Sequence, residues 1–474
     1  MSCRFFPSLP LAGLAVVLAG CVHYQARPIS PPDSLATFEA RTLDDPGLRQ
    51  FLQANHSALP SAAAPWELPP LTLVAFYYNP DLDVARAELA AAEAGTVTAG
   101  ARENPTAALS GGRNTTTPVD LISPWILGFN LDIPITTAGK RGHRIAQATS
   151  LAEAARFNLA AVAWQVRSGV RASLVELYAA TRAEELLSEQ ETIQQDNAAM
   201  LERQLEAGAV SSFELTQARL ALAAARIARR DATARKIAAR ARLVGALGIP
   251  AAALEGVPLS FEGVMGTTHE APTQEARRQA VLNRADVLGA LAEYAASQAA
   301  LQLEIAKQYP DIHIGPGYEF DQGDNKWFLA LSLPIPIVNS NRGPIGEAEA
   351  RRTAAAARFV AAQVHAVGQV DQAAAAYDAV RDAATTAERM VGDLEKQERT
   401  ARARFEAGEI SRLELGGARL ERVSAALARL DATVKAQSAL GQLEDAMQSP
   451  LGLPAGAWQH APRLSETRKS EEHP

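Results

Sequence analysis

The sequence predicts a mainly α-helical chain with membrane β-strands, built from one helix–strand–strand–long helix–helix unit that occurs twice. The segment EAGAVSSFELTQARL at 206–220 recurs as EAGEISRLELGGARL at 406–420. Each half also pairs two apolar runs of about ten residues with an uninterrupted helical pattern of about 60 residues. A period of about 200 residues is too long for a solenoid repeat and indicates a duplicated half-molecule.

Composition and charge exclude several classes of function. Only 5% of the 474 residues are aromatic, and alanine dominates long tracts, so the helices should pack closely in thin layers. A net charge of −7 with interspersed signs offers no basic surface, and we expect no nucleic-acid partner. No zinc-ligand spacing, HExxH motif or nucleophile–base–acid set is present, so we expect neither a metal site nor an enzyme.

The N-terminus has the pattern of an exported bacterial lipoprotein. An apolar run at 8–19 is too short to cross a bilayer as a helix and fits a cleaved signal peptide at 1–20. LAGC at 18–21 matches the lipobox, so Cys21 is expected to carry N-acyl and S-diacylglycerol lipid, with no other cofactor. Val22 follows, which favours sorting to the outer membrane. The alternative is an ordinary signal peptide with a chance cysteine.

Composition shifts divide the rest of the chain. The segment after the signal is rich in proline, serine and alanine and is expected to be an extended wrapper, and a glycine- and proline-rich linker separates the repeats. The predicted units are the wrapper 21–70, the first repeat 71–247, the linker 248–272, the second repeat 273–447 and a polar tail 448–474.

Within the first repeat, a helix is expected to end before Asn104-Pro105, because the residue before proline disfavours the helical conformation. The expected order is a helix at 78–102, strands at 105–114 and 123–134, a long helix from near Gly142, a break at Gly208, and a helix from Ser211 or Ser212 to 246.

The second repeat predicts the same order. Its polar segment DQGDNK has the composition of a β-turn between two strands. The expected elements are a helix at 273–308, strands at 311–320 and 327–335 around the turn 321–326, a long helix at 344–405, a break at Gly408 and a helix to 447.

The lengths of these strands and helices favour a protein that spans a membrane. Strands of 9–11 residues match tilted membrane-crossing strands, and a 60-residue helix is about 90 Å long. Four strands cannot close, and unpaired backbone groups in lipid cost several kcal/mol each, so closure needs other chains. Three chains would supply twelve strands. The alternative is a pair of small soluble hairpins on a lipid-anchored periplasmic coiled-coil scaffold that does not conduct.

Four motifs give the chain a family resemblance over 70–447. They are NPDLDVARAE at 79–88, TTAGKRGHRIAQA at 136–148, LSLPIPIVNSNRGPIGEA at 331–348 and the two EAGxxSxxEL turns. The chain resembles the TolC-like outer membrane efflux protein family. The resemblance implies a homotrimer with a twelve-stranded β-barrel in outer-membrane lipid, continued by an α-helical periplasmic tunnel, and served by a periplasmic adaptor and an inner-membrane pump.

The segments after the strands are most similar to the branch that serves heavy-metal (cobalt, zinc, cadmium) resistance pumps, which implies a pump of the RND type. The implied function is a passive duct from pump and adaptor to the outside. A drug-efflux or type I secretion duct of the same family is the alternative, and adjacent pump genes would separate the two.

The two helical turns are the candidate functional region. Glycine permits the left-handed conformation that reverses a helical hairpin. In the family this tip is where the adaptor docks and the pore closes, which implies docking roles for Gly208, Ser211, Gly408 and Ser411. The alternative is that these residues only build the turn.

An acidic ring is the candidate gate. Glu406, Glu409 and Glu414 would each occur three times in a trimer. Drug-exporting relatives often have a second acid where this chain has Gly417, which puts a double acidic ring in doubt.

Two residues mark the barrel–tunnel junction: Arg141 and Arg342 recur at the starts of the long helices, where a cation opposes the helix dipole. Each is expected either to pair with a carboxylate or to be solvated.

Overall fold

The computed structural model of the chain describes residues 24–55, 64–115, 123–266 and 272–451. The predicted signal peptide, Cys21, and most of the tail 448–474 lie outside these ranges.

Within the described residues, eight helices and strands precede the linker, and the bounds of most lie within a few residues of the prediction. They are α1 (Pro31–Glu39), α2 (Pro46–Asn55), α3 (Leu68–Tyr78), α4 (Pro80–Gly100), β1 (Thr106–Arg113), β2 (Trp125–Ile135), α5 (Lys140–Glu206) and α6 (Ser212–Leu247).

The linker and the second repeat follow, and the unit predicted from the sequence occurs twice, which confirms the fold class. A 3₁₀ turn at Ala251–Leu254 and α7 (Glu262–Met265) lie in the linker. They are followed by α8 (Gln274–Asn283), α9 (Ala285–Ala306), β3 (Ile312–Asp321), β4 (Asp324–Ser332), α10 (Arg342–Glu406) and α11 (Arg412–Met447).

The segment 21–70 is not extended throughout, and that prediction is wrong for α1, α2 and the start of α3. Each helix has a proline in its first turn, where its fixed φ suits a helix start. Leu48 and Leu52 of α2 are buried in the core of the first repeat. Arg41 donates hydrogen bonds to the carbonyls of Tyr78 (3.0 Å) and Gly248 (2.6 Å), so this segment packs firmly on the repeat.

The single helix predicted at 273–308 is two helices, because Arg284 leaves the helical region with φ −64° and ψ 137°. Asn79 does the same between α3 and α4, with φ −72° and ψ 123°. The Arg284 guanidinium donates to the carbonyl of Ala446 (2.6 Å) and pairs with Asp286 (2.6 Å), which holds the break against the end of α11. Both repeats therefore begin with a broken helix pair.

The four strands form one antiparallel sheet in the order β1-β2-β3-β4. β2 and β3 join the two repeats, with Ile135 opposite Ile312. The β3–β4 turn is tighter than the predicted segment 321–326, because Gln322 and Gly323 both have positive φ, as a two-residue type I′ hairpin turn requires. β4 ends at Ser332, three residues before the predicted end. β1 and β4 are the two edges of the sheet.

The helices pack around α5, which has 67 residues and is about 100 Å long. Near the sheet α5 packs between α4 and α9; toward its other end it packs between α6 and α11, and α10 packs on α11. Two apolar cores hold these helices, one around Leu82, Leu174 and Leu243 and one around Val370 and Leu440. Within the described ranges, no helix is both long and apolar enough to cross a membrane.

Candidate functional site

The turn between α5 and α6 is closed by backbone hydrogen bonds around Gly208. Its φ of +69° is left-handed, and Ala209 N–H reaches back to the carbonyl of Gln204 (2.8 Å). Gly208 N–H donates to Leu205 (2.9 Å), which completes the pattern of a Schellman motif. The break predicted at Gly208 is confirmed.

The turn between α10 and α11 repeats this geometry. Gly408 has φ +75°, its N–H donates to the carbonyl of Phe405 (3.0 Å), and Glu409 N–H donates to Arg404 (2.9 Å). The break predicted at Gly408 is confirmed. Both tips lie at the ends of the long helices farthest from the sheet.

A capping box starts the second helix of each hairpin. The Ser211 hydroxyl accepts the N–H of Glu214 (3.3 Å), whose carboxylate accepts the N–H of Ser211 (2.7 Å). Ser411 and Glu414 make the same pair at 3.2 and 2.7 Å. Reciprocal capping satisfies two backbone donors that a helix end would otherwise leave unpaired. Each tip is thus a rigid turn.

The three candidate gate carboxylates are all exposed, but their surroundings differ. Glu406 ends α10. Glu409 pairs with Arg404 at 3.3 Å across the turn. Backbone and side-chain hydrogen bonds from Ser411 hold the pKa of the Glu414 carboxyl below its usual range. Glu414 is therefore ionised and turned back toward its own helix start.

Arg422 joins the two hairpins and was not found from the sequence. Its Nε lies 2.6 Å from Glu398 Oε2 on α10, and its guanidinium also binds Glu189 on α5. Burial opposes the charge, but hydrogen bonds and attraction from these carboxylates raise the pKa of Arg422 above its ordinary value. Arg412 adds a second link to α5, 3.4 Å from Asp196.

Gly416 of α11 lies against Asn197 of α5 near the tips. A Cβ at this position would lie 2.6 Å from Asn197 Oδ1, so a side chain there would displace Asn197. Gly417 has open space around it. Of these two adjacent glycines, packing explains only Gly416.

At the sheet end of the helices, the two predicted junction arginines have different surroundings. Arg141 Nε donates to the carbonyl of Gly100 (2.7 Å) and so caps the end of α4. Arg342 is exposed, and no hydrogen bond or ion pair joins its side chain to another residue of the described ranges.

The ion pair at this junction comes from Lys140, which sequence reasoning missed. Lys140 is buried; its Nζ lies 2.9 Å from Asp311 Oδ1 and 2.6 Å from the carbonyl of Tyr309. Thr137 N–H donates to Asp311 Oδ1 at 2.8 Å. Burial opposes ionisation of Asp311, but these donors lower the pKa of its carboxyl. These contacts therefore hold the turn before α5 against the helix–strand corner, the segment that connects α9 to β3.

A buried charged cluster fixes α11 to α5 between the tips and the sheet. Arg167 and Arg171 both approach Glu444 Oε2 at 3.4 Å, and Arg171 donates to the carbonyl of Gln437 at 2.9 Å. Burial lowers the pKa of Arg171, and attraction to Glu444 opposes that effect. Arg171 reaches this carbonyl across Gly441, where a Cβ would lie 2.1 Å from its Nη1.

Across the described parts of the chain, no group of three or more His, Cys, Asp or Glu side chains is arranged to hold a metal ion. At the tips, Glu409 pairs with Arg404, and Glu214 and Glu414 cap the starts of α6 and α11. The arrangement suits mechanical coupling between helices.

Comparison with known proteins agrees with this geometry. The cobalt-zinc-cadmium resistance protein CzcC of Cupriavidus metallidurans is 26% identical over 288 residues, which cover 60% of this chain and 68% of the relative. A membrane protein from Pseudomonas aeruginosa has a similar structure (TM-score 0.65, 21% identity, 80% of this chain and 90% of that one). The open state of the Neisseria gonorrhoeae MtrE outer membrane channel is also similar (TM-score 0.65, 18% identity, 81% and 89%).

The structural likenesses show the fold, and a family match extends through both repeats. The model of the family described as outer membrane efflux protein matches residues 75–249 and 276–448, almost three quarters of the chain. The resemblance inferred from the four motifs is confirmed. The chain therefore belongs to the outer membrane efflux protein family.

Proposed function

We propose that three copies of this outer-membrane efflux protein assemble into one duct with a twelve-stranded barrel. The observation that carries the proposal is the sheet, whose edge strands β1 and β4 are exposed along their whole lengths. An open edge leaves backbone N–H and C=O groups unpaired, which lipid does not tolerate. When three four-stranded sheets join edge to edge, every strand has a partner on both sides, and the helices of the three copies then continue the barrel as a periplasmic tunnel.

The chain is organised along this duct in six proposed segments. A lipid on Cys21 anchors the start of the mature chain, and the segment that contains α1 and α2 wraps the first repeat. The segments are the signal peptide 1–20, the wrapper 21–70, the repeats 71–247 and 273–447, the linker 248–272 between them and the tail 448–474. Mass spectrometry of the N-terminal peptide tests the anchor, because triacylation of Cys21 adds a diagnostic mass.

Proteins of this family are channels that work with a periplasmic adaptor and an inner-membrane pump. We propose that the adaptor docks on the rigid turns at Gly208, Ser211, Gly408 and Ser411, and that the pump is of the RND type. The exposed tips and their fixed backbone support this role, since a docking surface benefits from preorganisation.

Gating is proposed to occur at the same end of the molecule. The α10–α11 hairpin would move away from α5, and its carboxylates Glu406, Glu409 and Glu414 would form the acidic ring at the constriction. Arg422 and Arg412 support this assignment, because they are charged contacts that such a movement would break. At the opposite end, Arg141 and Arg342 lie at the barrel–tunnel junction.

Heavy-metal cations are the proposed substrate class. The support is the relative named as a cobalt-zinc-cadmium resistance protein, together with motifs after the strands that resemble that branch. The duct needs no tight metal site, because a conduit that binds its cargo strongly releases it slowly.

Complementation tests the substrate class. The chain, expressed with its adjacent pump and adaptor in a metal-sensitive strain, should restore growth on cobalt, zinc or cadmium salts. A variant that lacks β3 and β4 is the control. Restored resistance to drugs with no change in metal tolerance would overturn the metal assignment in favour of a drug-efflux duct, and restored secretion of a protein would favour a type I secretion duct.

A further inference from the structure

The seam between the two repeats shows how one strand pair joins the next. β2 pairs with β3. Next to the end of this strand pair, the turn before α5 contacts the short segment that connects α9 to β3. Lys140 makes this contact by donating to the carbonyl of Tyr309 (2.6 Å) and pairing with Asp311 (2.9 Å). Strand pairing and a cationic clasp therefore occur together at the seam.

The second repeat has an equivalent of Lys140. Helix α5 follows Gly139, with φ +71°, and α10 follows Asn341, with φ +60°; both are left-handed residues at the N-cap. Lys140 and Arg342 are the first residues of these two helices. The structural counterpart of Arg342 is thus Lys140, although the sequence alone aligns it with Arg141.

The first repeat likewise has an equivalent of this helix–strand corner. Residues 131–135 of the first repeat correspond to 333–337 of the second. Thr106 pairs with Asp132, and His313 pairs with Ser332. When the same correspondence is followed across both strand pairs, Pro105 is equivalent to Pro310. The same offset superposes the starts of α4 and α9. Asn104 then corresponds to Tyr309, so the Asn104 carbonyl is the equivalent of the carbonyl that Lys140 binds. Asn104 is exposed.

Residues on the edge strands β4 and β1 are also equivalent to residues that pair between β2 and β3. Ile133 lies opposite Ile314 at the seam inside the chain, and both are half-buried. Their counterparts Ile335 and Leu109 are 71% and 85% exposed. β4 also ends at Ser332 where β2, with the same LxIPI sequence, continues along β3 to Ile135. The two edge strands therefore expose the same kind of apolar side chains that pair with each other where β2 meets β3.

We infer that Arg342 clasps the helix–strand corner of a second copy of this chain, donating to the Asn104 carbonyl and pairing with Glu103. β4 then pairs with β1 of that copy, with Ile335 opposite Leu109 and Ile337 opposite Ala107. The inference deepens the proposed function and rests on its trimer. Thr106 stands where Asp311 would be, so the carboxylate is supplied from Glu103 instead. Arginine suits this change, because its five donors can serve a carbonyl and a carboxylate together.

Cysteine cross-linking tests the register. The full chain has only Cys3 and Cys21 besides the introduced thiols. Oxidised Ile335→Cys/Leu109→Cys protein should run as covalent dimer and trimer on a denaturing gel. Ile335→Cys/Ala107→Cys is the matched control, because diagonal strand neighbours lie about 7–8 Å apart, beyond the Cα range of a disulfide. Its cross-linked fraction should be about tenfold lower.

A charge exchange tests the clasp. Arg342→Glu and Glu103→Arg should each lower the temperature at which the trimer dissociates in detergent, and the double variant should recover most of that loss. Arg351→Glu is the control, because Arg351 is exposed on α10 and pairs with Glu347 of the same helix. It should leave the dissociation temperature unchanged.

The outcomes separate this inference from the proposed function. If the wild-type chain is a trimer, efficient cross-linking of the 335/107 variant, or no cross-linking of the 335/109 variant, overturns the register. A double charge variant no better than the singles overturns the clasp. A wild-type chain that is monomeric in detergent and in membranes overturns the trimer itself. The cross-linking variants keep Arg342 and Glu103, so they report on the register even if the charge variants do not fold.

Discussion

Arg422 Nε lies 2.6 Å from Glu398 Oε2, and the same guanidinium binds Glu189 on the first hairpin. One side chain of α11 thus holds its own hairpin partner α10 and the neighbouring helix α5. The two contacts differ in what they restrain. The contact with Glu398 lies inside the second hairpin, whereas the contact with Glu189 joins the hairpins and must break if one moves relative to the other.

Glu189→Gln should make opening easier. A partly exposed ion pair contributes about 0.5–1 kcal/mol, so its loss should raise the open probability about two- to fivefold per subunit. Single-channel recording in a planar bilayer measures the change. Glu388→Gln is the matched control, because Glu388 pairs with Arg429 inside the second hairpin. Equal effects of both substitutions would contradict a latch between hairpins.

Substitutions of Glu414 separate its capping role from its charge. Glu414→Gln keeps a side-chain oxygen for the Ser411 N–H but removes the charge, whereas Glu414→Ala removes both. If Glu414 contributes to an acidic ring, Glu414→Gln should reduce cation-over-anion selectivity, measured from the reversal potential in a salt gradient. Glu214→Gln, which makes the same change at the first tip, should have less effect. If Glu414→Gln has the same selectivity as wild type, Glu414 only caps α11 and does not contribute to an acidic ring.

Gly441→Ala should destabilise the chain, although alanine is the better helix former. The added Cβ would displace the Arg171 guanidinium from the Gln437 carbonyl. Loss of a hydrogen bond from a charged group costs about 1.5–3 kcal/mol. Gly245→Ala, on α6 with open space around it, is the control and should stabilise by about 1 kcal/mol. Thermal unfolding followed by circular dichroism compares them, and a higher melting temperature for Gly441→Ala would be inconsistent with this packing.

The Lys140–Asp311 pair predicts a pH dependence of stability. The pKa of Asp311 is lowered in the folded chain, so its contribution is present above the ordinary carboxyl pKa of about 4 and is lost as pH falls through the folded value. Asp311→Asn should therefore melt at a lower temperature than wild type at pH 6. The difference should shrink below about pH 4. A difference that stays constant from pH 6 to pH 2.5 would show that Asp311 acts through packing alone.

The elements that the sequence predicted best are those fixed by neighbouring residues. Gly208 and Gly408 reverse their hairpins, and Ser211 starts α6, because backbone and capping hydrogen bonds there span at most five residues. The repeat itself followed from direct comparison of 206–220 with 406–420. The break at Arg284 was missed because the flanking residues favour helix, although its counterpart Asn79 precedes a proline that gives the signal.

Contacts between distant segments could not be predicted. Arg422 and Glu189 are 233 positions apart, and their pairing depends on α11 lying against α5. The sequence indicates Arg141 instead of Lys140, because only the N-cap at Gly139 shows which of the two is the first residue of α5. The pairing of Lys140 with Asp311 depends on the sheet, which places the residues before β3 beside the turn after β2.

Conductance across a bilayer tests most directly whether this chain forms a duct. Purified wild-type protein and Glu189→Gln should be reconstituted in a planar bilayer and recorded in symmetric salt. We expect discrete conductance steps that last longer in Glu189→Gln than in wild type. Absence of conductance from both proteins, under conditions where both are shown to insert as trimers, would contradict the duct and favour a lipid-anchored scaffold.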